Sequence, residues 1–290
     1  MVPYFDRPDL LRHLVSSVLE QADPQWRLTV VDDGPGLDGV ENWLGGLGDT
    51  RLRYLHNPAN LGINRNFQRC LDLAEQEFVV ITGADDLFLP NYVGSVRAAY
   101  RKFPEAAIIQ PGVAAIDAAG AVRDGLPDRA KRAIFAPRVQ VPTLLRGEDL
   151  AVSLLRGNWL YFPSLAWRTR PAQKAGFRDG LHVIQDLALV LDLIRSGRQL
   201  LVEPVASFRY RRHSSSASSW RAADGSRFTE ERGFFRAEAA RLDELGWQRA
   251  ARAARRHVAS RVNAATQLPG ALADGRVSRV RALAAHVFRP

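Results

Sequence analysis

The chain has 290 residues, of which 46% are hydrophobic and 24% charged, and its formal net charge is +9. This length suits one large α/β domain or two smaller ones, and no apolar run approaches the roughly 20 residues that a membrane span requires. The amino terminus has neither a basic nor an apolar signal segment, so a secretory leader is not predicted. The positive charge predicts attraction to anions, but no zinc-finger spacing or RNA-binding aromatic motif supports a nucleic-acid partner.

Helices and short apolar strands alternate through the first part of the chain. Helical patterns cover residues 7–22, 38–46, 64–76 and 90–104, and short runs typical of buried strands cover 28–34, 52–57, 78–86 and 106–117. This alternation predicts an α/β fold with a parallel, doubly wound sheet. In such a sheet, ligands bind outside the carboxyl ends of the strands.

The second part of the chain is less regular. Residues 118–146 are rich in Gly, Pro and Arg and are predicted to be irregular, while helices are predicted over 147–157 and 184–197. An aromatic stretch over 159–169 is predicted to be extended, and a strand is predicted over 200–213, where Pro204 indicates an edge or a bulge. From about residue 221 the sequence turns to Ala, Arg and Glu and predicts helices with these apolar residues to bury: Phe234, Phe235, Leu242, Leu245 and Trp247.

Pairs of acids end two of the predicted strands, at Asp32–Asp33 and at Asp85–Asp86. An Asp in this place often caps the next helix. For Asp86 considered by itself, that interpretation stays open. Two such pairs on one sheet favour a site for Mg²⁺ or Mn²⁺, because these cations take oxygen ligands and bridge protein to nucleotide phosphate. The chain has neither a Walker loop nor a Rossmann glycine motif, so metal and arginine are expected to hold the phosphate.

These segments together resemble glycosyltransferase family 2, whose nucleotide-sugar-binding fold is called GT-A. The resemblance extends from residue 2 to about 218 and rests on segments in the family's order, namely "VPYFDRPDLLRHLVSSVLEQ", "LTVVDDG", "NPANLGINRNFQRCLDLAEQEFVVITGADD", "GFRDGLHVIQD" and "FRYRRHSSSAS". It implies a Rossmann-like, doubly wound, mostly parallel sheet with a C-terminal helical extension. It also implies a nucleotide-sugar-binding half over 1–110, an acceptor-binding half over 111–218, and the extension over 219–290.

The resemblance assigns donor-side roles to residues near the strand ends. Phe5 stands where the family usually has a Tyr that stacks on the nucleotide base, and Asp33 matches the acid that reads the base edge. Asp85 and Asp86 match the metal and ribose acids, and His213 matches a residue that approaches the metal or the diphosphate. The remaining donor-side candidates, which include arginines expected to stabilise the diphosphate, are Pro3, Arg65, Asn66, Arg211 and Arg212.

On the acceptor side, the resemblance makes Asp186 the general base. The simpler alternatives are that Asp186 caps the following helix, and that His213 is a solvated loop residue. His182 is the nearest alternative base in sequence. Two departures from the family stand out: Gly83 replaces the first acid of D-x-D, and Gln185 replaces the Glu before the base.

The sequence therefore predicts an inverting, metal-dependent glycosyltransferase that uses Mn²⁺ or Mg²⁺. Its expected partners are a nucleotide-sugar donor and a glycan, lipid-linked or small-molecule acceptor. The departures at Gly83 and Gln185 leave open a non-catalytic module that binds nucleotide-sugar or glycan. A nucleotidyltransferase is a further alternative. Such an enzyme would be expected to have a Gly-rich, basic segment near the first strand, and "VPYFDRP" is not such a segment.

The single cysteine, Cys70, is predicted to be a buried structural thiol, and it fits a reducing, cytoplasmic compartment. The Arg-rich tail makes contact with the inner face of an anionic membrane an alternative location. The family also opens with a longer buried strand ahead of Pro3, which here is reduced to Met1 and Val2. The expectation is either a natural start upstream or a less stable sheet.

Overall fold

The computed structural model describes residues 1–36, 39–123, 125, 133–212, 226–275 and 277–288. The strands are β1 Val2–Tyr4, β2 Leu28–Asp32, β3 Leu52–His56, β4 Phe78–Val80, β5 Leu87–Phe88, β6 Ala106–Ile116, β7 Thr143–Leu145, β8 Ala166–Arg168 and β9 Gln199–Arg211. The helices are α1 Pro8–Leu19, α2 Val40–Gly46, α3 Ile63–Asp72, α4 Tyr92–Lys102, α5 Gly147–Arg156, α6 Thr169–Ala175, α7 Gln185–Arg195, α8 Ser226–Glu244, α9 Gln248–Arg256, α10 Val258–Ala273 and α11 Val277–Phe288.

The central sheet is mostly parallel. β1, β2 and β3 pair in parallel, and the second group of strands follows the order β4-β8-β6-β9-β5, with β7 also on β9. The two groups meet at Met1, whose amine donates to Val80 O at 2.8 Å and whose carbonyl accepts the Thr82 N–H at 3.1 Å. β4, β6 and β9 run in the same direction as β1 to β3, while β5, β7 and β8 run against them.

Apolar periodicity explains why the helices lie where they do. α1 begins at Pro8, a residue that favours the first helical turn, and it buries Leu11, Leu14, Val15 and Val18 on one face. Cys70 is buried in α3 as predicted, and burial raises the pKa of its thiol to about 12. The carboxyl-terminal helices join the main core through the buried side chains of Phe234, Phe235 and Leu242, whereas Leu245 is 45% exposed.

The predicted extended stretch over 159–169 is wrong in part. Phe162–Ser164 form a 3₁₀ turn with Pro163 in it, and only Ala166–Arg168 pair with the sheet. The strand expected over 78–86 ends at Val80, because the chain turns at Gly83 before the acids. The stretch 118–146, predicted to be irregular, contains β7.

The bulge predicted at Pro204 is present in β9. Gln110 pairs with Val202, but Gly112 already pairs with Ala206, so the residues between are extra on the β9 side. A Cβ built on Gly112 would lie 2.7 Å from Pro204 O. Gly112 therefore provides the room that the bulged backbone occupies.

We expect Gly112→Ala to lower the free energy of unfolding by about 1–3 kcal/mol, because the added methyl group meets backbone atoms that cannot rotate away. Chemical denaturation measures the change. Gly94→Ala in α4 is the matched control, since the nearest atom to its Cβ is Asp23 Cβ at 3.8 Å, and alanine there should be neutral or stabilising by up to about 1 kcal/mol. Equal stability of the two variants would contradict the tight approach at Gly112.

Candidate functional site

The chain after β1 and the chain after β2 lie side by side at the sheet edge. The Asp33 N–H donates to Tyr4 O at 2.8 Å, and a Cβ built on Gly34 would lie 2.1 Å from Phe5 O. A side chain at position 34 would displace the backbone at Phe5, which explains the glycine of "VDDG". Pro3 lies in β1, and Phe5 is 54% exposed at this edge, where an aromatic ring is open to stacking.

The buried carboxylate of Asp33 orders the loop that leads into α3. Its Oδ1 accepts the Asn57 side-chain amide at 2.8 Å and the Leu61 N–H at 2.7 Å, and its Oδ2 accepts the Gly62 N–H at 2.9 Å. Gly62 directly precedes α3. Asp33 therefore fixes the start of this helix, and its role in reading a base edge stays a prediction.

The asparagines of the N-x-G-x-x-x-N segment tie α3 to the end of β2. The Asn60 amide donates to Asp33 O at 2.9 Å. Asn66 is buried, donates to Val31 O at 3.1 Å and accepts the Asn57 amide at 3.1 Å. Asn66 thus holds the helix in place, and Arg65 beside it is exposed. Donor contacts of these two residues remain predictions.

The carboxylates of Asp85 and Asp86 converge on the space above Gly83. A Cβ built on Gly83 would lie 2.6 Å from Asp85 Oδ1 and 3.0 Å from Asp86 Oδ2. The position where many relatives have the first acid of D-x-D is therefore filled by the two acids that follow it. The replacement of the first acid of D-x-D by Gly83 therefore does not remove the acidic site, because Asp85 and Asp86 still bring two carboxylates together there.

One oxygen of Asp86 is buried without a hydrogen bond. Asp86 is 1% exposed, and its Oδ1 accepts the Arg211 N–H at 2.8 Å, but Oδ2 has no partner among the described residues. Burial, followed by the charge of Asp85, raises the pKa of Asp86 well above its usual range. The helix-cap interpretation of Asp86 is wrong, because the next helix begins at Tyr92 with Asn91 as its cap.

This pair of acids fits a divalent cation. A buried carboxylate oxygen without a partner carries a desolvation cost that a cation would offset, and carboxylate oxygens are the ligands of Mg²⁺ and Mn²⁺. Within the described ranges, no group of three or more His, Cys, Asp and Glu side chains is placed to hold a metal. The protein would therefore supply the two carboxylates, and phosphate or water the remaining ligands. His213 lies outside the described residues.

Arg211 braces the turn that carries the acids. Its Nε donates to Asp85 O at 2.7 Å, and its Nη1 donates to Asp117 O at 3.0 Å and Ala118 O at 2.8 Å. These bonds direct much of the buried guanidinium to backbone carbonyls. Arg212 is exposed, with its guanidinium 5.3 Å from the centre of the Tyr210 ring.

Asp186 lies in the first turn of α7, at the second helical residue. Its Oδ1 accepts the Leu187 N–H at 2.7 Å, and its Oδ2 accepts the Asn158 side-chain amide at 3.3 Å. The alternative that Asp186 is the helix cap is wrong, because Ile184 occupies that position. Asn158, which the sequence did not single out, is the side chain that orients the carboxylate.

Glu230, from α8 of the carboxyl-terminal extension, binds the segment just before Asp186. Its Oε1 accepts the backbone N–H groups of His182 at 2.9 Å, Val183 at 2.8 Å and Ile184 at 3.2 Å. Bonds of this kind to a carboxylate are stronger than neutral ones. The extension therefore orders the approach to the predicted base, a role that no local motif indicates.

A second acid of α8 holds the same region through arginines. Glu238 pairs with Arg178 at 3.1 Å and with Arg195 at 3.0 Å, and Arg178 also pairs with Asp192 at 2.5 Å. The Arg178 carbonyl accepts the Asn64 amide at 2.9 Å. Through Arg178, the extension is thus connected to α3 and to the loop that Asp33 orders.

A comparison with known families identifies the class of domain that carries this edge. Residues 1–138 match the model of the family described as "Glycosyl transferase family 2". These residues belong to a family 2 glycosyltransferase domain. This confirms the resemblance drawn from the sequence over the matched residues, whereas the segments that contain Asp186 and His213 and the carboxyl-terminal helices lie beyond the matched range.

Curated relatives match this chain over short stretches. It is 29% identical over 91 residues to "Putative colanic acid biosynthesis glycosyl transferase WcaA" of Escherichia coli, which is 31% of this chain and 33% of that protein. It is 27% identical over 111 residues to "Uncharacterized protein MT1568" of Mycobacterium tuberculosis, 37% of this chain and 32% of that protein. The alignments thus span about a third of each relative.

Solved structures match the fold over nearly the whole chain. S. aureus TarS 1-349 in complex with UDP-GlcNAc superposes with a TM-score of 0.72 at 16% identity, over 99% of this chain and 80% of that one. The mannosyltransferase PcManGT from Pyrobaculum calidifontis, in complex with GDP-Man and Mn²⁺, superposes with a TM-score of 0.59 at 17% identity, over 100% and 80%. The predicted GT-A fold with its helical extension is confirmed.

We expect Glu230→Ala to destabilise the protein by about 2–3 kcal/mol, because it removes a charged acceptor from backbone N–H groups. Denaturant unfolding measures this, and hydrogen exchange should speed up at residues 182–184. Glu244→Ala, at the exposed end of α8, is the control and should change stability by less than about 0.5 kcal/mol. Unchanged exchange at 182–184 in the Glu230 variant would contradict the role assigned to this carboxylate.

Proposed function

We propose that this protein is an inverting, metal-dependent glycosyltransferase that moves a sugar from a nucleotide-sugar donor to an acceptor hydroxyl. The observation that carries the proposal is the convergence of Asp85 and Asp86 above Gly83, at the ligand-binding edge of a family 2 domain. A buried, partnerless carboxylate oxygen has no structural use there, but it suits a site for a cation and a diphosphate.

The donor lies across the strand ends, with residues 1–110 as the donor half and 111–218 as the acceptor half. Phe5 stacks on the base, and Asp33 contacts the base edge from the loop it orders. Pro3 shapes the end of β1, Asn66 holds α3 in register, and Arg65 at the exposed start of that helix faces the diphosphate. The structures of S. aureus TarS with UDP-GlcNAc or UDP and of PcManGT with GDP-Man are consistent with a donor of this class.

Asp85 and Asp86 would hold Mn²⁺ or Mg²⁺, with His213 as a further candidate ligand. When bound, the cation supplies positive charge that lowers the cost of the departing diphosphate. PcManGT was solved with Mn²⁺, which supports this choice. The Arg211 guanidinium braces the turn that carries the acids. Arg212, the exposed residue that follows β9, can reach a phosphate.

Asp186 acts as the general base on the acceptor side. The acceptor oxygen bonds to the anomeric carbon, the bond from that carbon to the diphosphate oxygen breaks, and the hydroxyl proton passes to the Asp186 carboxylate. Its two oxygens accept the hydrogen bonds from Leu187 and Asn158, which orient the carboxylate for a proton transfer. The leaving group is the nucleoside diphosphate, and the sugar configuration inverts.

A panel of nucleotide-sugars, with released nucleotide as the signal, tests the activity. Isothermal titration with UDP and with GDP measures binding in parallel. Turnover of one donor would establish the transferase. Binding without turnover on any donor, with or without added acceptors, would instead identify a non-catalytic module.

The cation requirement gives a separate test. Turnover should be lost in EDTA and restored by Mn²⁺, and Asp85→Asn or Asp86→Asn should abolish Mn²⁺-dependent nucleotide binding without changing the circular dichroism spectrum. Asp9→Asn is the matched control, because that side chain is 88% exposed. Full activity in EDTA would rule out the metal-dependent mechanism.

Replacement of the base should separate chemistry from binding. We expect Asp186→Asn to lower turnover by about 100- to 10,000-fold, the usual contribution of a positioned base, while donor affinity measured by titration stays near that of the wild type. His182→Ala is the comparison. If turnover fell only in the His182 variant, the base would be His182, and if neither variant changed, the acceptor-side mechanism would be wrong.

A further inference from the structure

A groove of about 370 Å³ lies between α5 and α9. Three of the residues that line it are buried or half-buried apolar residues, namely Phe135, Val152 and Ala253. Arginines line its walls: Arg156 from α5, and Arg249, Arg252 and Arg256 from α9. None of the residues that hold the proposed donor or cation belongs to it.

The arginines of this groove differ in their partners. Arg249 pairs with Glu148 at 3.2 Å and also with Asp149, but Arg156, Arg252 and Arg256 have no ion pair among the described residues. Arg252 and Arg256 are one turn apart on the same helix, where like charges repel. Exposed, unpaired like charges around one groove are stabilised by an anion.

The surroundings of the groove favour a lipid over a soluble anion. Val258, which also lines the groove, is 47% exposed, and Val262, one turn further along α10, is 57% exposed. Ile134, next to Phe135, is 69% exposed. Exposed aliphatic side chains beside unpaired arginines are the pattern of surfaces that bind an anionic bilayer, with the apolar groups in the interface and the cations at the phosphates.

We propose that the groove between α5 and α9 docks the protein on an anionic phospholipid bilayer. Lipid phosphates bind Arg156, Arg252 and Arg256, and Val258 and Val262 enter the interface. A soluble phosphate ion would make no use of the apolar lining or of the exposed valines, so the bilayer is the occupant that accounts for both features.

The groove also lies close to the predicted base. A Cβ built on Gly157 would lie 2.6 Å from the Phe135 ring, and the next residue, Asn158, donates to Asp186 at 3.3 Å. Docking through the groove would bring the acceptor side of the protein to the membrane surface. A lipid-linked acceptor follows from this placement, and that consequence rests on the proposed function, whereas the docking itself does not.

Vesicle co-sedimentation of the full chain, without any nucleotide-sugar, tests the docking. The wild type should bind phosphatidylcholine vesicles that contain phosphatidylglycerol and should not bind phosphatidylcholine alone. The triple variant Arg156→Gln, Arg252→Gln, Arg256→Gln should partition about 100-fold more weakly, since each arginine near an anionic surface contributes roughly fivefold. The matched control Arg53→Gln, Arg101→Gln, Arg198→Gln removes the same charge at exposed positions outside the groove and should change partitioning by less than about threefold.

A second variant tests the lipid itself. Val258→Ser with Val262→Ser keeps every charge and should weaken partitioning several-fold, because it removes apolar side chains from the interface.

Equal losses in the two arginine triples would overturn the proposal in favour of general charge attraction. Displacement of the wild type by inorganic phosphate, but not by chloride at the same ionic strength, would overturn it in favour of a soluble phosphate. Titration of the Arg156→Gln, Arg252→Gln, Arg256→Gln variant with nucleotide should show that donor binding persists. A failure of docking is then distinguishable from a failure of the transferase.

Discussion

The buried carboxylate of Asp33 is the point from which the site is assembled. It accepts an amide and two backbone N–H groups from the loop before α3, so the end of β2 and the start of that helix cannot move independently. Asn64 of the same helix donates to the Arg178 carbonyl, and the Arg178 guanidinium is held by Asp192 and Glu238. A continuous set of polar contacts thus connects the donor edge to the helical extension.

The sequence alone predicted most of the helices and strands, whereas the roles of the site residues remain predictions. Apolar periodicity located the helices and the strands, and the paired acids marked the carboxyl edge of the sheet. Asn158 and Glu230 escaped prediction because their partners are distant in sequence, and neither residue belongs to a local pattern. The cap interpretations of Asp86 and Asp186 failed because helix boundaries depend on backbone geometry that residue type does not specify.

Asp86 illustrates how the site opposes the stability of the fold. A carboxylate with one unpartnered oxygen in a buried turn costs free energy, and the neighbouring Asp85 adds repulsion. Arg211 offsets part of this cost by donating its backbone N–H to Asp86 and its side chain to the same turn. Residues that destabilise the free protein in this manner commonly serve binding or catalysis.

Gly83 has a consequence for how such a site changes over generations. Because a Cβ at this position would lie 2.6 Å from Asp85 Oδ1 and 3.0 Å from Asp86 Oδ2, Gly83→Asp would require a neighbouring carboxylate to rotate away and would add a third negative charge. The arrangement with an acid at position 83 becomes accessible only after Asp85 or Asp86 has turned aside or been replaced. The two forms of the acidic motif therefore differ in where the neighbouring carboxylates lie, and not only in the residue at position 83.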